Sequence, residues 1–435
     1  MINYLKRNLE GLKILVLGYG REGKSTAKLL SSVLEHAQIS IADQNEAVFE
    51  NDLVSGNSRY RILTGNDYPA DLTAFDLVIK TPGIRLDDGR FTFDAARITS
   101  QTDLFLAVYG KQTVGITGTK GKSTTSSLLY HIVQSYTGKA LFGGNIGIPL
   151  FDLADHVTAE SIVICELSSH QLQYTRHAPH IGVLLNLYQE HLDHYPTYLD
   201  YQKAKFNIAL NQVEGDYFVY TASDENINSL IESHQLKSHK VPVDNTGVHF
   251  SSKLTGEHNM HNAQVAATVA SLLGIPEKAI EDGIAGFIPL EHRLEFAGEY
   301  KGVRYYNDSI STIPEAAIAA IESLKPVDTL ILGGFDRGID YSILAAYLEK
   351  GNVRNVITTG PAGMRIFELV NENEQIEELY FFTKFDEAVE KAIEITPKGG
   401  ICLLSPAASS YNEFRNFEER GKRFKEMIRD SRFEI

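Results

Sequence analysis

The chain has 435 residues, of which 43% are hydrophobic and 22% charged, and its formal net charge is −15. A length of this order favours about three domains. The acidic balance argues against nonspecific binding to nucleic acid or to anionic membranes, although a local basic pocket can still bind an anion. Both cysteines lie in apolar runs, which gives no disulfide framework, and no apolar run approaches the roughly 20 residues of a membrane span. We expect a cytoplasmic protein without a nucleic-acid partner.

The first elements alternate between strand and helix. LKILVLG predicts a strand, KSTAKLLSSVLEH a helix, and AQISIAD and DLVIKTPGI two further strands. This order is the repeating unit of a parallel sheet. GYGREG, from Gly18 to Gly23, joins the first strand to the helix, and Asp43 ends the next strand. That is the dinucleotide-binding fingerprint, in which the acid binds a ribose hydroxyl. Taken alone, it suggests an NAD-dependent dehydrogenase.

The central section begins with a second glycine-rich turn. GITGTKGKSTTSS, from Gly115 to Ser127, follows an apolar run and opens a helix. Its backbone N–H groups can surround a phosphate chain, Lys122 would reach the β- and γ-phosphates, and the Ser123 hydroxyl would ligate Mg²⁺. The pattern departs from the usual one at Ile116, where glycine is the standard residue. Because the flanking strand and helix are both present, the turn still predicts a phosphate site.

Two strands beside this turn lead into candidate metal ligands. SIVICEL contains Glu166 near its end, a carboxylate of the kind that holds Mg²⁺. IGVLLNL runs into YQEHLDHYP, where Glu190, His191, Asp193 and His194 crowd together. This cluster is either a solvated loop or the source of a ligand for a second metal. Because an oxidoreductase does not need a phosphate loop, the two glycine-rich turns together indicate ATP and a nucleotide-linked substrate.

The rest of the chain continues the alternation. LTGEHNMHNAQVAATVASLLG predicts a loop and a helix. A third section begins near EHRLEF, has strands at VRYYND, TLILGG, NVITTG and GGICLLSP, and ends in the charged helix FEERGKRFKEMIRD. We expect three consecutive α/β domains. They are an N-terminal Rossmann-like domain at 1–108, a central P-loop ATPase-like domain at 109–290 and a C-terminal Rossmann-like domain at 291–435.

A series of motifs resembles the Mur ligases in content and order over essentially the whole chain. The motifs are GITGTKGKST, GGNIGIP, ELSSHQL, NLYQEHLDHY, YQKAKFNI, GEHNMHNA, EHRLEF, YNDSIST, LGGFDRG and SPAASSYNEFRNFEERG. The resemblance implies an ATP-dependent amide ligase of peptidoglycan precursor synthesis. The motifs are most similar to those of members that add D-glutamate to UDP-N-acetylmuramoyl-L-alanine through an acyl phosphate. We therefore expect the UDP-linked substrate on the first domain, ATP and Mg²⁺ (at two sites) on the central domain, glutamate on the third, and a monomer.

The resemblance also implies roles for individual residues. The catalytic residues would be Lys122, Glu166, His191 and Lys205. Ser123 and Glu166 would hold one Mg²⁺ and His191 the other, and Lys205 matches a lysine that CO₂ converts to a carbamate. The ATP site would consist of Gly118, Thr119, Lys120, Gly121, Lys122, Ser123, Thr124, Asn259, Asn262, Arg293 and Asp308. The site for the UDP-linked substrate would consist of Gly20, Arg21, Glu22, Asp43, Gln44, Thr81, Gly83 and Asn145. The glutamate site would consist of Thr312, Arg337, Ser410 and Phe417.

The sequence departs from the family pattern at Ile310, where many relatives carry lysine. Lys120, where asparagine is frequent, adds a cation to the phosphate loop. His170 stands where relatives often have an apolar or aromatic residue, and we assign it no role. Three alternatives stay open: the same ligation with L-glutamate, a catalytically inactive regulator that binds a UDP-sugar and ATP, and a dehydrogenase. The retained catalytic residues argue against the regulator, and the phosphate loop argues against the dehydrogenase.

Overall fold

Three β-sheets form the framework, each built from short apolar strands with helices between them. The computed structural model describes residues 1–50, 52, 54, 57–191, 194–244, 250–252, 254, 256–288 and 291–430. The chain divides into two units, Met1–Ser252 with Asn259–Phe287 and Lys253–His258 with Ile288–Ile435. The first unit contains two of the sheets and the second unit contains the third.

The first sheet contains the three strands predicted for this part of the chain and two short additional ones. Its strands are β1 (Lys13–Leu17), β2 (Gln38–Ala42), β3 (Tyr60–Leu63), β4 (Leu77–Lys80) and β5 (Ile98–Thr99). Its helices are α1 (Ile2–Leu9), α2 (Arg21–Val33) and α3 (Gln101–Tyr109). The strands pair in parallel in the order β3-β2-β1-β4-β5. The order reverses beside β1, and such a point leaves a crevice at the carboxyl ends of the strands.

The second sheet has β6 near its middle, and every residue of β6 is buried. Its strands are β6 (Thr113–Thr117), β7 (Ala140–Gly144), β8 (Ile162–Glu166), β9 (Ile181–Leu184), β10 (Tyr217–Thr221) and β11 (His239–Val243). The accompanying helices are α4 (Lys122–Thr137), α5 (Leu150–Leu153), α6 (Ser169–Leu172), α7 (Tyr198–Leu210), α8 (Glu225–Ser233), α9 (Glu257–Leu272) and α10 (Glu277–Gly286). The parallel order is β11-β10-β9-β6-β8-β7. The ends of β8 and β9 therefore flank the turn that follows β6.

The third sheet is parallel except at one edge. Its strands are β12 (Glu295–Tyr300), β13 (Val303–Asn307), β14 (Val327–Gly333), β15 (Val353–Thr359), β16 (Glu378–Phe382) and β17 (Ile401–Leu404). Its helices are α11 (Pro314–Leu324), α12 (Ser342–Leu348), α13 (Gly360–Val370), α14 (Phe385–Ile395) and α15 (Phe417–Asp430). The order is β12-β13-β17-β14-β15-β16, and β12 pairs antiparallel with β13.

The predicted α/β fold class is confirmed, and the quoted apolar runs form the strands expected of them. The strands β3, β5, β7, β10, β11, β12 and β16 were not predicted. In β12, for example, the half-exposed, glycine-containing pattern carries little periodic signal. The domain limits stay predictions, and residue 290 lies outside the described residues. Within the described part of the chain, the helices are too short or too polar to cross a bilayer.

Both cysteines are buried inside strands. Cys165 lies in β8 and Cys402 in β17, and neither forms a disulfide. Burial raises the pKa of each thiol, which keeps both protonated. They contribute to the cores of their sheets as small apolar side chains.

Candidate active site

The glycine-rich turn after β6 has the backbone of an anion cradle. Gly121 has φ +82°, the left-handed region, and α4 begins at the next residue. A Cβ on Gly121 would lie 2.5 Å from Oδ1 of Asn262, and one on Gly118 would lie 2.8 Å from Cβ of Leu185. Glycine is therefore required at both positions. The N–H groups at the start of α4 are left to bind an anion.

Three lysines converge on this turn. Lys122 donates from Nζ to the carbonyls of Gly118 and Thr119, each at 2.8 Å. Lys205, from α7, donates from Nζ to the same Gly118 carbonyl at 2.9 Å. Lys120 pairs with a carboxylate that follows β9, at 2.8 Å. Such a concentration of cations at a helix N-terminus suits a polyphosphate.

Lys205 is almost completely buried beneath the turn. Burial lowers the pKa of its amine well below the usual value, and the positive charge of Lys122 lowers this pKa further. Its Nζ lies 5.0 Å from the centre of the Tyr201 ring. A lower pKa increases the share of the neutral amine, and the neutral form is the nucleophile.

Glu166 ends β8 beside the turn, and its side chain is buried. Its Oε1 accepts a hydrogen bond from Nδ2 of Asn145 at 2.7 Å. Its Oε2 has no hydrogen-bond partner among the described residues. An unsatisfied buried carboxylate oxygen is costly, and a hard cation would satisfy it. The donor set at this position therefore fits Mg²⁺, with Asn145 as the side chain that orients Glu166.

His191 occupies a strained turn near Lys205. Its φ is +59°, and its carbonyl accepts hydrogen bonds from the backbone N–H groups of His194 and Tyr195 at 3.0 Å. Its ring lies 4.8 Å from that of His170, which in turn lies 4.2 Å from that of His194. Burial, and then the two neighbouring histidines, lower the pKa of His170 to about 3, so its ring is neutral. The predicted cluster member Asp193 lies outside the described residues.

Protein side chains alone do not complete a metal site here. Among the described residues, no three histidine, cysteine, aspartate or glutamate side chains are grouped closely enough to hold an ion. Mg²⁺ usually takes one or two carboxylates and fills its octahedron with phosphate oxygens and water. The arrangement of Glu166 and His191 suits a metal that arrives with a nucleotide.

The two asparagines predicted for the ATP site lie on α9. Asn262 donates from Nδ2 to Oδ1 of Asn259 at 3.3 Å, and both side chains are buried. Asn262 also lies directly against Gly121. Asn262 is therefore brought to the phosphate loop, and Asn259 is bonded to it. Thr124, in the first turn of α4, is buried, and Ser123 precedes it.

The predicted site for the UDP-linked substrate lies at the carboxyl edge of the first sheet. Asp43 accepts from the backbone N–H of Tyr19 at 2.7 Å and of Asn45 at 2.9 Å, which ties β2 to the turn after β1. Thr81 donates from Oγ1 to a β1 carbonyl at 3.0 Å. Backbone at Gly20, Gln44 and Gly83 is exposed at the same edge. The side chains of Arg21 and Glu22 instead contact the segments around the second sheet.

The residues predicted in the third section gather at the carboxyl ends of β13, β14 and β17. Asp308 accepts from the Leu294 backbone N–H at 3.0 Å and from the hydroxyls of Ser311 and Ser405 at 2.5 and 2.8 Å. Burial raises the pKa of Asp308 to about 6. Arg293 precedes Leu294. These contacts hold the segment that carries Arg293 in place.

The predicted glutamate residues lie near the same edge. Arg337 is exposed, Thr312 is half-buried, and Ser410 is buried. The carbonyl of Phe417 accepts a hydrogen bond from the hydroxyl of Ser309 at 2.8 Å. The four residues differ in exposure, and their role in binding glutamate stays a prediction.

Two family models match the central and C-terminal parts of the chain. The model of the Mur ligase middle domain matches residues 116–245, and that of the Mur ligase glutamate ligase domain matches residues 292–408. A relative from Caldanaerobacter subterraneus subsp. tengcongensis, named UDP-N-acetylmuramoylalanine--D-glutamate ligase, is 32% identical over 98% of this chain and 99% of its own. The chain belongs to the Mur ligase family. A ligase of the same name from Latilactobacillus sakei is 32% identical over 94% of this chain and 95% of its own.

Solved structures of Mur ligases share the fold. UDP-N-acetylmuramate-alanine ligase MurC from Thermotoga maritima aligns with a TM-score of 0.60 and 18% identity, over 97% of this chain and all of the other. MurF ligase from the same organism, solved with ADP, aligns with a TM-score of 0.61 and 13% identity, over 99% and 98% of the two chains. At these identities the likeness establishes the three-domain Mur ligase fold.

Sequence reasoning missed three contributors to this Mur ligase. Asn186, just after β9, accepts from the Lys120 N–H at 2.8 Å and donates to its carbonyl at 3.1 Å, which fixes the phosphate loop. Its position after a strand next to β6 was a usable signal. His170 packs on His191. Arg420, buried in α15, donates to carbonyls of Ser309 and neighbouring segments, and nothing in the charged helix sequence indicated its burial.

Proposed function

We propose that the chain joins D-glutamate to UDP-N-acetylmuramoyl-L-alanine, converting ATP to ADP and phosphate. Membership of the Mur ligases makes it an ATP-dependent ligase of peptidoglycan precursor synthesis. The amino acid and the acceptor are those in the names of the relatives. The observation that carries the proposal is the convergence of Lys122 and Lys205 on the Gly118 carbonyl, beside the unsatisfied Oε2 of Glu166.

The reaction must bring a carboxylate to a triphosphate. A carboxylate oxygen of the substrate forms a bond to the γ-phosphorus while the bond between the β–γ bridging oxygen and that phosphorus breaks, which releases ADP. The glutamate amine then attacks the acyl carbon, loses a proton to solvent, and phosphate leaves with the C–O bond electrons. Both partners of the first step are anions, so cations at the phosphate loop must neutralise them. Lys122 and the N–H groups of the turn after Gly118 would do so.

Magnesium fits this site, with Ser123 and Glu166 as the residues that would hold one ion and His191 a second. The bound ion would supply further neutralisation of the phosphate charge. Asn145 keeps Oε1 of Glu166 occupied, which leaves Oε2 for the ion.

Lys205 is proposed to be carbamylated. Its neutral amine would form an N–C bond with CO₂ and release a proton to solvent, so that a neutral group is replaced by an anion. The new anion would lie close to Lys122, whose charge already lowers the Lys205 pKa. The low pKa and the cationic surroundings both support this modification.

The three substrates would use separate edges of the sheets. ATP would bind Gly118, Thr119, Lys120, Gly121, Lys122, Ser123, Thr124, Asn259, Asn262, Arg293 and Asp308. The UDP-linked substrate would bind near Gly20, Asp43, Gln44, Thr81, Gly83 and Asn145. Glutamate would bind near Thr312, Arg337, Ser410 and Phe417. A cytoplasmic monomer is part of the same proposal.

L-glutamate is the second candidate, because Ile310 replaces the lysine common in relatives. The Ile310 backbone N–H donates to the His292 carbonyl at 3.1 Å, so this segment keeps an ordered backbone with an apolar side chain. The stereochemistry of the amino acid is therefore the point to test.

The test is phosphate release with ATP, Mg²⁺ and UDP-N-acetylmuramoyl-L-alanine, with D-glutamate and L-glutamate in separate reactions and a reaction without either as control. We expect release with D-glutamate only. Release with L-glutamate only would keep the ligase and overturn the assigned amino acid. No release in either reaction, with nucleotide still bound, would favour a catalytically inactive regulator.

A further inference from the structure

The first turn of α2 contacts a loop of the second sheet. Arg21 donates from Nη2 to the carbonyls of Asn145 and Gly144, at 3.0 and 3.3 Å. It donates from Nη1 to the carbonyl of Gly147 at 3.2 Å. All three acceptors belong to residues 144–147, the loop between β7 and α5. A single guanidinium therefore binds three backbone carbonyls, all of them from residues with uncharged side chains.

This loop orients the candidate metal ligand. Asn145 binds Glu166 twice, from its side-chain Nδ2 to Oε1 at 2.7 Å and from its backbone N–H to the Glu166 carbonyl at 2.8 Å. The position of the loop thus decides which carboxylate oxygen is occupied and which is left for a cation.

Two neighbours of Arg21 bind the second-sheet segments as well. Glu22 accepts from Nε2 of Gln171 at 2.7 Å, and the Gln171 Oε1 accepts from the Ser168 N–H at 2.9 Å, which caps α6. Ser25 donates to Asp152 at 3.0 Å. The start of α2 is therefore bound at three points, by the side chains of Arg21, Glu22 and Ser25.

We propose that Arg21 is a positioning residue for Glu166, acting through the 144–147 loop and Asn145, and is not a ligand of the UDP-linked substrate. The inference rests on the proposed function in one respect, the binding of a metal by Glu166. Without the guanidinium, the three carbonyls lose their common donor and the loop is free to move. Asn145 then holds Glu166 less firmly, and metal affinity falls.

The test measures Mn²⁺ binding by the full chain with a non-hydrolysable ATP analogue and no UDP-linked substrate, using the electron paramagnetic resonance signal of free Mn²⁺. Loss of a residue that orients a ligand typically weakens metal binding about 10-fold or more, and we expect roughly 3- to 10-fold for Arg21→Met. Lys24→Met is the matched control, because Lys24 lies on the same helix and pairs with Asp52. It should leave Mn²⁺ affinity unchanged. Arg21→Lys keeps the charge and should recover only part of the loss.

A double-mutant cycle tests the route. Asn145→Ala should weaken Mn²⁺ binding at least as much as Arg21→Met, and the double variant should be no weaker than Asn145→Ala alone. Titration calorimetry with UDP-N-acetylmuramoyl-L-alanine, without metal, should show a loss of affinity in Arg21→Met of no more than about threefold, because the 144–147 loop also carries Asn145.

Two results would overturn the proposal. One is unchanged Mn²⁺ affinity in Arg21→Met. The other is a loss of affinity for the UDP-linked substrate of about tenfold with Mn²⁺ binding intact, which would make Arg21 a ligand of the diphosphate. The Mn²⁺ titration does not need turnover, so a wild-type protein that releases no phosphate would refute the proposed function and leave this comparison valid.

Discussion

Two lysines of the first unit are exposed to the same small extent but have different charges around them. Lys80 ends β4 and Lys205 lies in α7, and each is 2% exposed. Each Nζ donates to one backbone carbonyl, that of Thr81 at 3.2 Å or that of Gly118 at 2.9 Å. Each also lies over a tyrosine ring, 5.7 or 5.0 Å from its centre. By burial and hydrogen bonding alone, the two amines would be judged equivalent.

The charges around the two amines separate them. Burial lowers the pKa of Lys80 to about 8, and the carboxylates of Glu22 and Asp87 limit the fall. At Lys205 the charge of Lys122 reinforces burial, and the pKa falls well below its usual value despite two carboxylates nearby. Lys80 therefore stays a cation near pH 7, whereas burial and the charge of Lys122 both favour the neutral amine of Lys205. Neighbouring charge thus adds to burial in setting how readily a buried lysine acts as a nucleophile.

The largest expected effect is at Lys205. Lys205→Ala should lower the rate of phosphate release by roughly a hundred- to a thousandfold, because it removes the group proposed to act at the reacting phosphate. Lys203→Ala, on the exposed side of the same helix, is the matched control and should keep full activity. Formate or bicarbonate should restore part of the activity of Lys205→Ala. Undiminished turnover in this variant would end the catalytic assignment.

Carbamylation should distinguish the two lysines directly. In buffer equilibrated with ¹³CO₂, a carbon spectrum of the wild-type protein should show a lysine carbamate, because Lys205 supplies a neutral amine. The signal should disappear in Lys205→Ala and persist in Lys80→Met. A carbamate that is lost with Lys80 instead would reverse the comparison.

Lys80 should affect stability in a pH-dependent way. Its folded pKa of about 8 lies below the value of an exposed lysine, so between pH 8 and roughly 10.5 the unfolded chain binds a proton that the folded chain does not. Wild-type stability should rise with pH across this window. Lys80→Met should be more stable than wild type at pH 7 by about 3 kcal/mol, a gap that closes near pH 10.5.

Urea unfolding at pH 7 and at pH 10.5 measures this gap. Lys24→Met, which removes an exposed lysine, should show no comparable change between the two pH values. A Lys80→Met protein that is less stable than wild type at pH 7 would contradict this prediction. It would mean that the attraction of the ammonium to Glu22 and Asp87 outweighs the free-energy cost of burying it.

The smallest effect concerns the turn that supplies the acceptor for Lys205. Gly121→Ala places a Cβ at φ +82° and against Asn262, so we expect a KM for ATP about tenfold higher. Gly138→Ala is the control at the other end of α4, where φ is +67° but the space is open. It should lower stability by about 1 kcal/mol and leave the KM for ATP unchanged. Equal KM values for the two variants would contradict a phosphate role for the turn.

The elements were predictable from sequence where local signals are strong. Apolar runs bounded by glycine or charged residues predicted parallel strands correctly. The glycine-rich stretch from Gly115 to Ser127 predicted both the turn and the helix that follows it. Lys205 was different, because its exposed-looking helix pattern gave no reason to choose it over Lys203. Its role came only through the family resemblance, and its low pKa depends on packing beneath the turn.

Tertiary contacts account for what could not be predicted. Arg21 lies within a dinucleotide-binding pattern. Its guanidinium nevertheless binds a loop more than a hundred residues away in sequence, at Gly144, Asn145 and Gly147. Which loop faces the start of α2 is set by the docking of two sheets, which no local pattern encodes. The burial of Arg420 in a charged helix has the same cause: the edge of the third sheet covers it.

The two buried cysteines make the protein unresponsive to thiol chemistry. Cys165 and Cys402 are shielded by their strands and held in the unreactive thiol form, so alkylating agents and mild oxidants have no accessible target. The redox state of the surroundings should not regulate this ligase. A cysteine introduced on the surface would be its only reactive thiol, and a fluorescent or spin label attached there would report from a single chosen position.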